Sequence, residues 1–513
     1  MKKRYLLFIC TATFLFLNCK KDDGSLPVDD NPSEEVENPE TDIFDFSPAL
    51  GGWGTKVTIR GENFDPLPEG NQVQFNGRMA EVESASETTL VAIVPEDATT
   101  GKISLFALGY DYTSFQDFTV LLPPPIINDF EPKEGVEGDE VTITGDHFGD
   151  NPSAVDVLFH GAETPAELKS FSDTKIVVRV PDGYKGPIQM RVKDQYTISE
   201  DEFTYLPWRR RADFEEGKRR FGIAEAIEDK IYMGFGNYGS AKKDLWEYDP
   251  ELDSWTQMTD FPGEARHGVF HFVIDGLLYV GGGTNGTSQT GPNDFYSFDP
   301  ATNTWTSLGD FPGNPNQVRR APSTFTINDK GYVYGGTNLG IDLFYNDLWE
   351  YNPTNDSWEE KSGFEDIGRA SAVSFSIGNK GYISTGFYSQ TQLLSDIWEY
   401  SPQSDSWTEK EPLPDGNERY GAIGFSIRNK GYVGLGFNNN YQQQANLWEF
   451  DSSDNYGEGS WTLKTTFSSS YRQWPFAAAS ANEKAYIGLG MEYINNVFEF
   501  PTDIWEYTPR HDE

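Results

Sequence analysis

The chain has 513 residues, with 40 Lys and Arg against 81 Asp and Glu, and its 13 Trp, 26 Tyr and 36 Phe make it rich in aromatics. A net charge of −41 argues against a nucleic-acid partner, whose phosphates are bound by Lys and Arg, and the aromatic content excludes a chain disordered throughout. With 50 Gly and 30 Pro to make turns, the composition points to an all-β protein of short strands, long enough for about three domains.

Residues 1–18 read as a signal peptide. Lys2, Lys3 and Arg4 precede an apolar run from Tyr5 to Leu17, shorter than the roughly 20 residues that span a bilayer. The run ends in Leu15-Phe16-Leu17-Asn18-Cys19, which resembles the lipobox of bacterial lipoproteins, although Asn18 departs from the usual small residue. The resemblance implies lipidation of Cys19 and anchoring in a membrane. Cys10 and Cys19 are the only cysteines, so the mature chain keeps no thiol for disulfides, metal thiolates or nucleophilic catalysis. Lys20-Lys21-Asp22-Asp23 is similar to the signal that sends some Gram-negative lipoproteins to the outer face of the outer membrane. The expected location is therefore the cell surface. Residues 19–42 form an acidic, Pro-containing tether that self-repulsion keeps extended.

Two copies of a module follow, over 43–121 and 126–205. Pro48, Gly61, Phe64 and Phe75 recur 84 residues later as Pro132, Gly145, Phe148 and Phe159. Lys56-Val57-Thr58-Ile59-Arg60 and Glu140-Val141-Thr142-Ile143-Thr144 alternate with the period of a half-buried strand. The segments FSPALGGWGTKVTIRGENF and FEPKEGVEGDEVTITGDHF resemble the TIG/IPT domain, which implies two immunoglobulin-like β-sandwiches serving as spacers or interaction modules. His147 and His160 stand alone on strands and read as structural.

From 208 to 509 a period near 50 residues takes over. One Trp falls at 246, 349, 398, 448 and 505, with Tyr296 in the same place, and a second at 255, 305, 358, 407 and 461. Paired glycines precede each motif, as in Gly282-Gly283 and Gly335-Gly336. This pattern resembles the kelch repeat, which implies a six-bladed β-propeller with its Trp and Tyr packed between blades. The last copy stops before its outer Trp, while Trp208, Asp213 and Phe214 match Trp255, Asp260 and Phe261. The segment from Trp208 is therefore expected to complete the last blade, with Arg209, Arg210 and Arg211 guarding an outer edge.

Loops between second and third strands are long and unlike one another (NYGSAKK, TNGTSQTGPN, FYSQTQLLS, FNNNYQQQAN), and variable loops on a fixed scaffold are where binding resides. On that face each blade opens its inner strand with an arginine: Arg220, Arg266, Arg320, Arg369, Arg419 and Arg472. These six either form a ring for carboxylate or sulfate or brace the blades by pairing with loop acids such as Glu264 and Glu418. Tyr238, Asn285, Phe344, Tyr345, Tyr388, Asn438, Tyr441 and Tyr493 supply rings and amides of the kind that bind sugars.

Kelch propellers include enzymes. A copper site like that of galactose oxidase needs a cysteine crosslink that this chain lacks, and His267 and His271, on one strand face, have no evident third ligand. No cofactor or metal is implied. Six-bladed sialic acid epimerases need neither thiol nor metal, which makes a sugar epimerase or mutarotase the leading enzymatic alternative. The expected function is that of a lipid-anchored surface protein binding a glycan, or another ligand such as a surface protein, on its long-loop face. It would serve as an accessory to an outer-membrane transporter for nutrient uptake. A protein-interaction scaffold is the third reading.

Overall fold

The computed structural model describes residues 43, 45–193, 195–286, 291–312, 318–338, 340–364, 368–389, 392–438, 442–467, 478–494 and 497–512. Cys19, the signal and the tether lie outside them. The chain divides into a unit ending at Pro123 and a unit running from Pro124.

The first unit is a β-sandwich. Asp45–Ser47, Lys56–Arg60, Thr89–Ile93 and Glu81–Ser86 form one sheet, in that spatial order, and Leu50–Gly51, Tyr110–Val120, Gly101–Ala107, Asn71–Phe75 and Arg78–Met79 form the other. Alternation buries Val57, Ile59, Leu90, Ile103 and Leu105 between them. The second unit opens with the same scheme. Ile126–Glu131, Glu140–Asp146, Lys175–Arg179 and Glu167–Phe171 face a sheet built on Gln195–Tyr205 and Gly186–Val192. Its Gly145 has no room for a side chain, because a Cβ there would lie 1.9 Å from the Ile126 carbonyl.

Six antiparallel sheets follow, each a blade of four strands in series, the first with the short strand Ser240–Ala241 added to its second strand. Their inner strands are Arg220–Ile227, Phe270–Ile274, Ser323–Ile327, Val373–Ile377, Ile423–Ile427 and Ala478–Ala481. Trp208–Arg211 supplies the outer strand of the last blade, pairing antiparallel with Ile504–Tyr507 from Trp208 opposite Tyr507 to Arg211 opposite Ile504. The ring thus closes by joining the two ends of the propeller sequence. Aromatic packing repeats at every blade. Trp255, Trp305, Trp358, Trp407 and Trp461 lie 4.8–5.0 Å, between ring centroids, from Tyr248, Phe298, Tyr351, Tyr400 and Phe450. Trp208 makes the sixth such contact, on Tyr507 at 4.8 Å.

Between blades the period-2 strand pattern sets the fit. Phe272, Phe325, Phe375 and Phe425 stack on Tyr279, Tyr332, Tyr382 and Tyr432 of the same blade, with ring planes 8–20° apart. The first three also cover Gly331, Gly381 and Gly431 of the next blade, where a Cβ would come within 2.1–2.4 Å of the ring. Glycine is required there for space.

The three arginines of the outer edge do more than block pairing. Arg210 forks onto Asp213 at 2.8 Å, but Arg211 is buried and meets Glu506 at 3.2 Å inside the blade. Lys484 bridges Glu506 (3.0 Å) and Glu137 of the second sandwich (3.2 Å). Burial pushes the Glu137 carboxyl up, but Lys484, Arg209 and Arg211 outweigh it and hold it below its ordinary range. The C-terminal turn Pro509–Asp512 adds an Arg510 to Asp182 ion pair and stacks His511 on Tyr205 at 4.8 Å. The second sandwich is therefore packed against the closing blade.

Because Trp208 is the sixth member of a repeated contact, Trp208→Ala is expected to cost roughly 2 to 3 kcal/mol, by analogy with other large-to-small core changes. Urea unfolding measures this, and an unchanged midpoint would show that closure does not depend on the contact.

Candidate functional site

The long-loop face is held together by backbone. A glycine with positive φ ends the second strand of each blade (Gly236, Gly283, Gly336, Gly386, Gly436 and Gly490). Five of them donate their N–H to the next blade: Gly236 to Arg266 O, Gly283 to Arg319 O, Gly336 to Arg369 O, Gly386 to Arg419 O and Gly490 to Arg219 O, at 2.8–3.3 Å. A second, inner series links Gly268 to Phe221 O, Ala321 to Gly268 O, Ser371 to Ala321 O and Gly421 to Ser371 O at 2.9–3.3 Å. The mouth of the channel is a hydrogen-bonded rim.

The arginines divide into two sets, which corrects the expected six-membered ring. Arg219, Arg266, Arg319, Arg369 and Arg419 are buried and brace the blades. Each donates Nη1 to the carbonyl sixteen residues later, on Phe235, Gly282, Gly335, Thr385 and Leu435 (2.7–3.3 Å). Four fork onto the Asp that precedes the third strand: Arg219 on Asp244, Arg266 on Asp294, Arg319 on Asp347 and Arg369 on Asp396, with bonds of 2.5–3.0 Å. The partners are thus these aspartates and not Glu264 or Glu418. The same four guanidiniums lie 4.7–5.2 Å from the rings of Phe214, Phe261, Phe311 and Phe364. Blade five departs from the rule: Arg419 meets Asn446 Oδ1 at 2.9 Å and Asn417 Oδ1 at 3.0 Å. Burial without a bonded carboxylate lowers its pKa to about 10, Glu418 only partly offsetting the loss. Arg472 lies outside the described residues.

Arg220 and Arg320 belong to the next position along, which in the other described blades holds His267, Ala370 and Tyr420. These residues pair with the strand continuations that open the loops: Arg220 with Asn237, His267 with Thr284, Arg320 with Thr337, Ala370 with Phe387 and Tyr420 with Phe437. They therefore line the mouth. Each bracing arginine stands seventeen residues before a rim glycine, a spacing whose meaning appears only once the strand pairing and the rim hydrogen bonds are known. Arg220 and Arg320 both lie on the Phe221 ring, at 5.1 and 4.4 Å from its centroid, and the His267 ring lies 5.9 Å from it. Burial, then Arg320 and Arg220, depress the His267 pKa to about 4.

Opposite this cationic arc runs an aromatic one. Phe344 meets Phe387 at 5.5 Å, Phe387 meets Tyr420 at 5.6 Å, and Tyr420 stacks on Phe437 at 5.5 Å. Phe387, Tyr420, Phe437 and Phe221 escaped the sequence reading because their positions read as strand ends. Tyr388 is half-buried on the strand Phe387–Ser389. Tyr238 is exposed and packs on Phe500 at 4.8 Å. Asn285 reaches Glu264 at 3.5 Å. Two expected ligand residues have structural work: Tyr345 covers Arg319 at 4.1 Å and donates to Val318 O at 3.1 Å, and Asn438 bonds Gln442 across its own turn at 2.9 and 3.1 Å. Of Tyr493 only the backbone is described, on the strand Glu492–Ile494, and Tyr441 lies outside.

The central channel contains a cavity of 360 Å³ lined by the inner strands, including Thr324, Ser374, Ser426, Glu225 and His271. Glu225 stands where other blades have Phe272, Phe325, Phe375 and Phe425, and bonds His271 Nδ1 of the next blade at 2.7 Å. Leu278 replaces the glycine found at Gly331, Gly381 and Gly431. Among the described residues no three His, Cys, Asp or Glu side chains are grouped to hold a metal.

These features define a kelch-type propeller carried behind two immunoglobulin-like sandwiches. The IPT/TIG domain model matches residues 42–120 and 125–205, and the KLHDC2/KLHL20/DRC7 Kelch-repeats domain model matches 223–433. The chain thus contains two IPT/TIG domains and a kelch-repeat domain. It is 28% identical over 155 residues to human Kelch domain-containing protein 3, covering 28% of this chain and 40% of that protein. It is 25% identical over 165 residues to the N-acetylneuraminate epimerase of Escherichia coli O157:H7, covering 32% and 31%. The matched segments span well under half of either relative. The solved structure of YjhT aligns with a TM-score of 0.48 and 19% identity, over 56% of this chain and 94% of that one.

Two outcomes are expected. Hydrogen bonds to charged groups contribute about 1.5 to 3 kcal/mol, so Asp347→Asn should destabilise by that order, while Asn446→Asp, which restores the acid that blade five lacks, should raise the urea midpoint. A lower midpoint for Asn446→Asp would mean that burying the new carboxylate outweighs its pairing. In the mouth, removing a neighbouring cation favours protonation, so Arg320→Gln should move the His267 titration upward from about 4 toward 6.5. NMR of the imidazole measures it, and an unmoved titration would assign the depression to burial and Arg220.

Proposed function

We propose that the protein is a lipid-anchored cell-surface receptor whose propeller binds a glycan at the long-loop mouth, as an accessory to outer-membrane nutrient uptake. The observation that carries this reading is the run of half-buried rings Phe344, Phe387 and Tyr420 along one side of the rim, with the buried Phe437 stacked behind Tyr420. Aromatic faces stack on the C–H faces of sugars, and the loop amides beside them bond hydroxyls. A rim tied together by backbone hydrogen bonds holds such a platform in place before ligand arrives, which reduces the ordering cost of binding. The lipobox-like Cys19 and the acidic tether support surface anchoring.

A second reading, a sugar epimerase or mutarotase, is favoured by the Glu225 and His271 pair in the channel. A carboxylate bonded to Nδ1 orients an imidazole and fixes which ring nitrogen faces the channel, an arrangement suited to proton transfer. The segment similarity to N-acetylneuraminate epimerase points the same way.

A glycan screen of the chain starting at Lys20, repeated with Phe387→Ala and Tyr420→Ala, tests the binding reading. Expected is saturable binding that each change weakens about twofold to tenfold, taking an aromatic-face contact as worth about 0.5 to 1.5 kcal/mol. Binding that both variants retain in full, or none to any glycan, refutes it. Conversion of a bound sugar between its anomers, lost in Glu225→Gln, would favour the second reading.

A further inference from the structure

We propose that the cationic side of the mouth is a seat for one anionic group of the ligand, a carboxylate or a sulfate, held by Arg320 and Arg220. As to what carries that group, the inference rests on the glycan reading above, and it makes the ligand an acidic sugar.

Acids outnumber bases by 81 to 40, and four of the five described bracing arginines at the preceding position are forked onto aspartates. Arg320 is half-buried, yet among the described residues its guanidinium has no ion pair and no hydrogen bond. Its contact is with the Phe221 ring. Burial and the nearby Arg220 lower its pKa to about 10, the direction expected of a cation set beside another cation. Arg220 reaches the Met491 sulfur at 3.4 Å, and burial lowers its pKa as well. His267 adds a third nitrogen-bearing ring to the same arc, and its buried Nδ1 has no hydrogen-bond partner among the described residues. An arc of this kind gains most from a ligand that brings negative charge.

Phe221 has φ of +57°, in the left-handed region that bulky side chains avoid. The same rim position holds Gly268, Ala321, Ser371 and Gly421 in the other described blades, all small and all with positive φ. The conformation thus belongs to the rim, and what is particular to blade one is a bulky ring placed in it, at a steric cost the other blades avoid. Here the strained residue supplies the ring on which both guanidiniums lie. The Arg320 guanidinium lies over this ring with no hydrogen bond among the described residues, so its N–H donors can meet an oxyanion.

Ala370 and Tyr420 at the equivalent positions show that the propeller does not need arginine there, whereas the bracing position is arginine in all five described blades. Arg220 and Arg320 are therefore dispensable to the fold, and their removal should leave it standing.

The test uses the full chain at constant ionic strength, with galacturonate, galactose 6-sulfate, neutral galactose and sodium sulfate as probes, followed by calorimetry and by the His267 titration. Galacturonate or galactose 6-sulfate should bind at least tenfold more tightly than galactose, and whichever of the two binds better identifies the anion. Arg320→Gln and Arg220→Gln should each lose that preference, while Arg78→Gln, on the exposed first sandwich, keeps it. Bound anion should also move the His267 titration up in the parent chain and not in Arg320→Gln. Equal binding of charged and neutral sugars, or a preference that survives both substitutions, overturns the seat and leaves the glycan reading intact. Sulfate binding that depends on Arg320, in a chain that binds no sugar, keeps the seat and sinks the glycan reading. Should Arg320→Gln melt earlier than the parent, Arg220→Gln and the His267 titration carry the decision.

Discussion

A buried arginine, forked onto an aspartate in four of the five blades where it is described, is the interaction on which the propeller depends. Its Nη1 takes the carbonyl at the end of the second strand, its two terminal nitrogens take the acid that opens the third, and its face covers a Phe that lies just past an outer strand. Its own carbonyl receives the rim glycine of the preceding blade. One side chain thus fixes where the chain leaves the blade and how the blade meets its neighbour. A buried ion pair has a desolvation cost that only full pairing offsets, and the fork, the carbonyl and the aromatic face together supply that pairing. Blade five, with Asn446 in place of the acid, keeps the geometry but surrenders the charge.

Since the brace is repeated, it leaves the neighbouring position free to vary, and chemistry appears there. Arg220, His267, Arg320, Ala370 and Tyr420 occupy equivalent places on the rim and differ in charge, size and polarity. The result is a mouth with a cationic side and an aromatic side, built on a scaffold of near-sixfold regularity. The channel follows the same logic. Glu225 interrupts a series of phenylalanines, and His271 and Leu278 in the next blade make the interruption fit, one by bonding it and the other by filling the space over what is elsewhere a glycine.

The second sandwich and the propeller are coupled through the closing blade. The strand Trp208–Arg211 leaves the sandwich and enters the sheet at once, and the last turn of the chain returns to pack on Tyr205. Lys484, placed between Glu137 and Glu506, ties the two at a point where both acids would otherwise repel. A module that resemblance alone presents as a spacer is here part of the support for ring closure.

The amino-acid sequence by itself determined the architecture: two sandwiches from alternating strands and an 84-residue repeat, and six blades from spaced Trp, Tyr and Gly. It even located the closing strand, because a missing Trp at one end of the array and a surplus one at the other admit a single arrangement. These features are local or periodic, and periodicity survives in one dimension. What only the tertiary structure decided was the division of the arginines. Arg219 and Arg220, or Arg319 and Arg320, are adjacent letters in the chain, and one is sealed in a blade while the other lines the mouth. The choice depends on which of them meets an aspartate some 25 to 28 residues away, a contact set by strand pairing across the blade. The aromatic arc was hidden for the same reason, since Phe344, Phe387, Tyr420 and Phe437 come from three blades and become neighbours only when the ring closes.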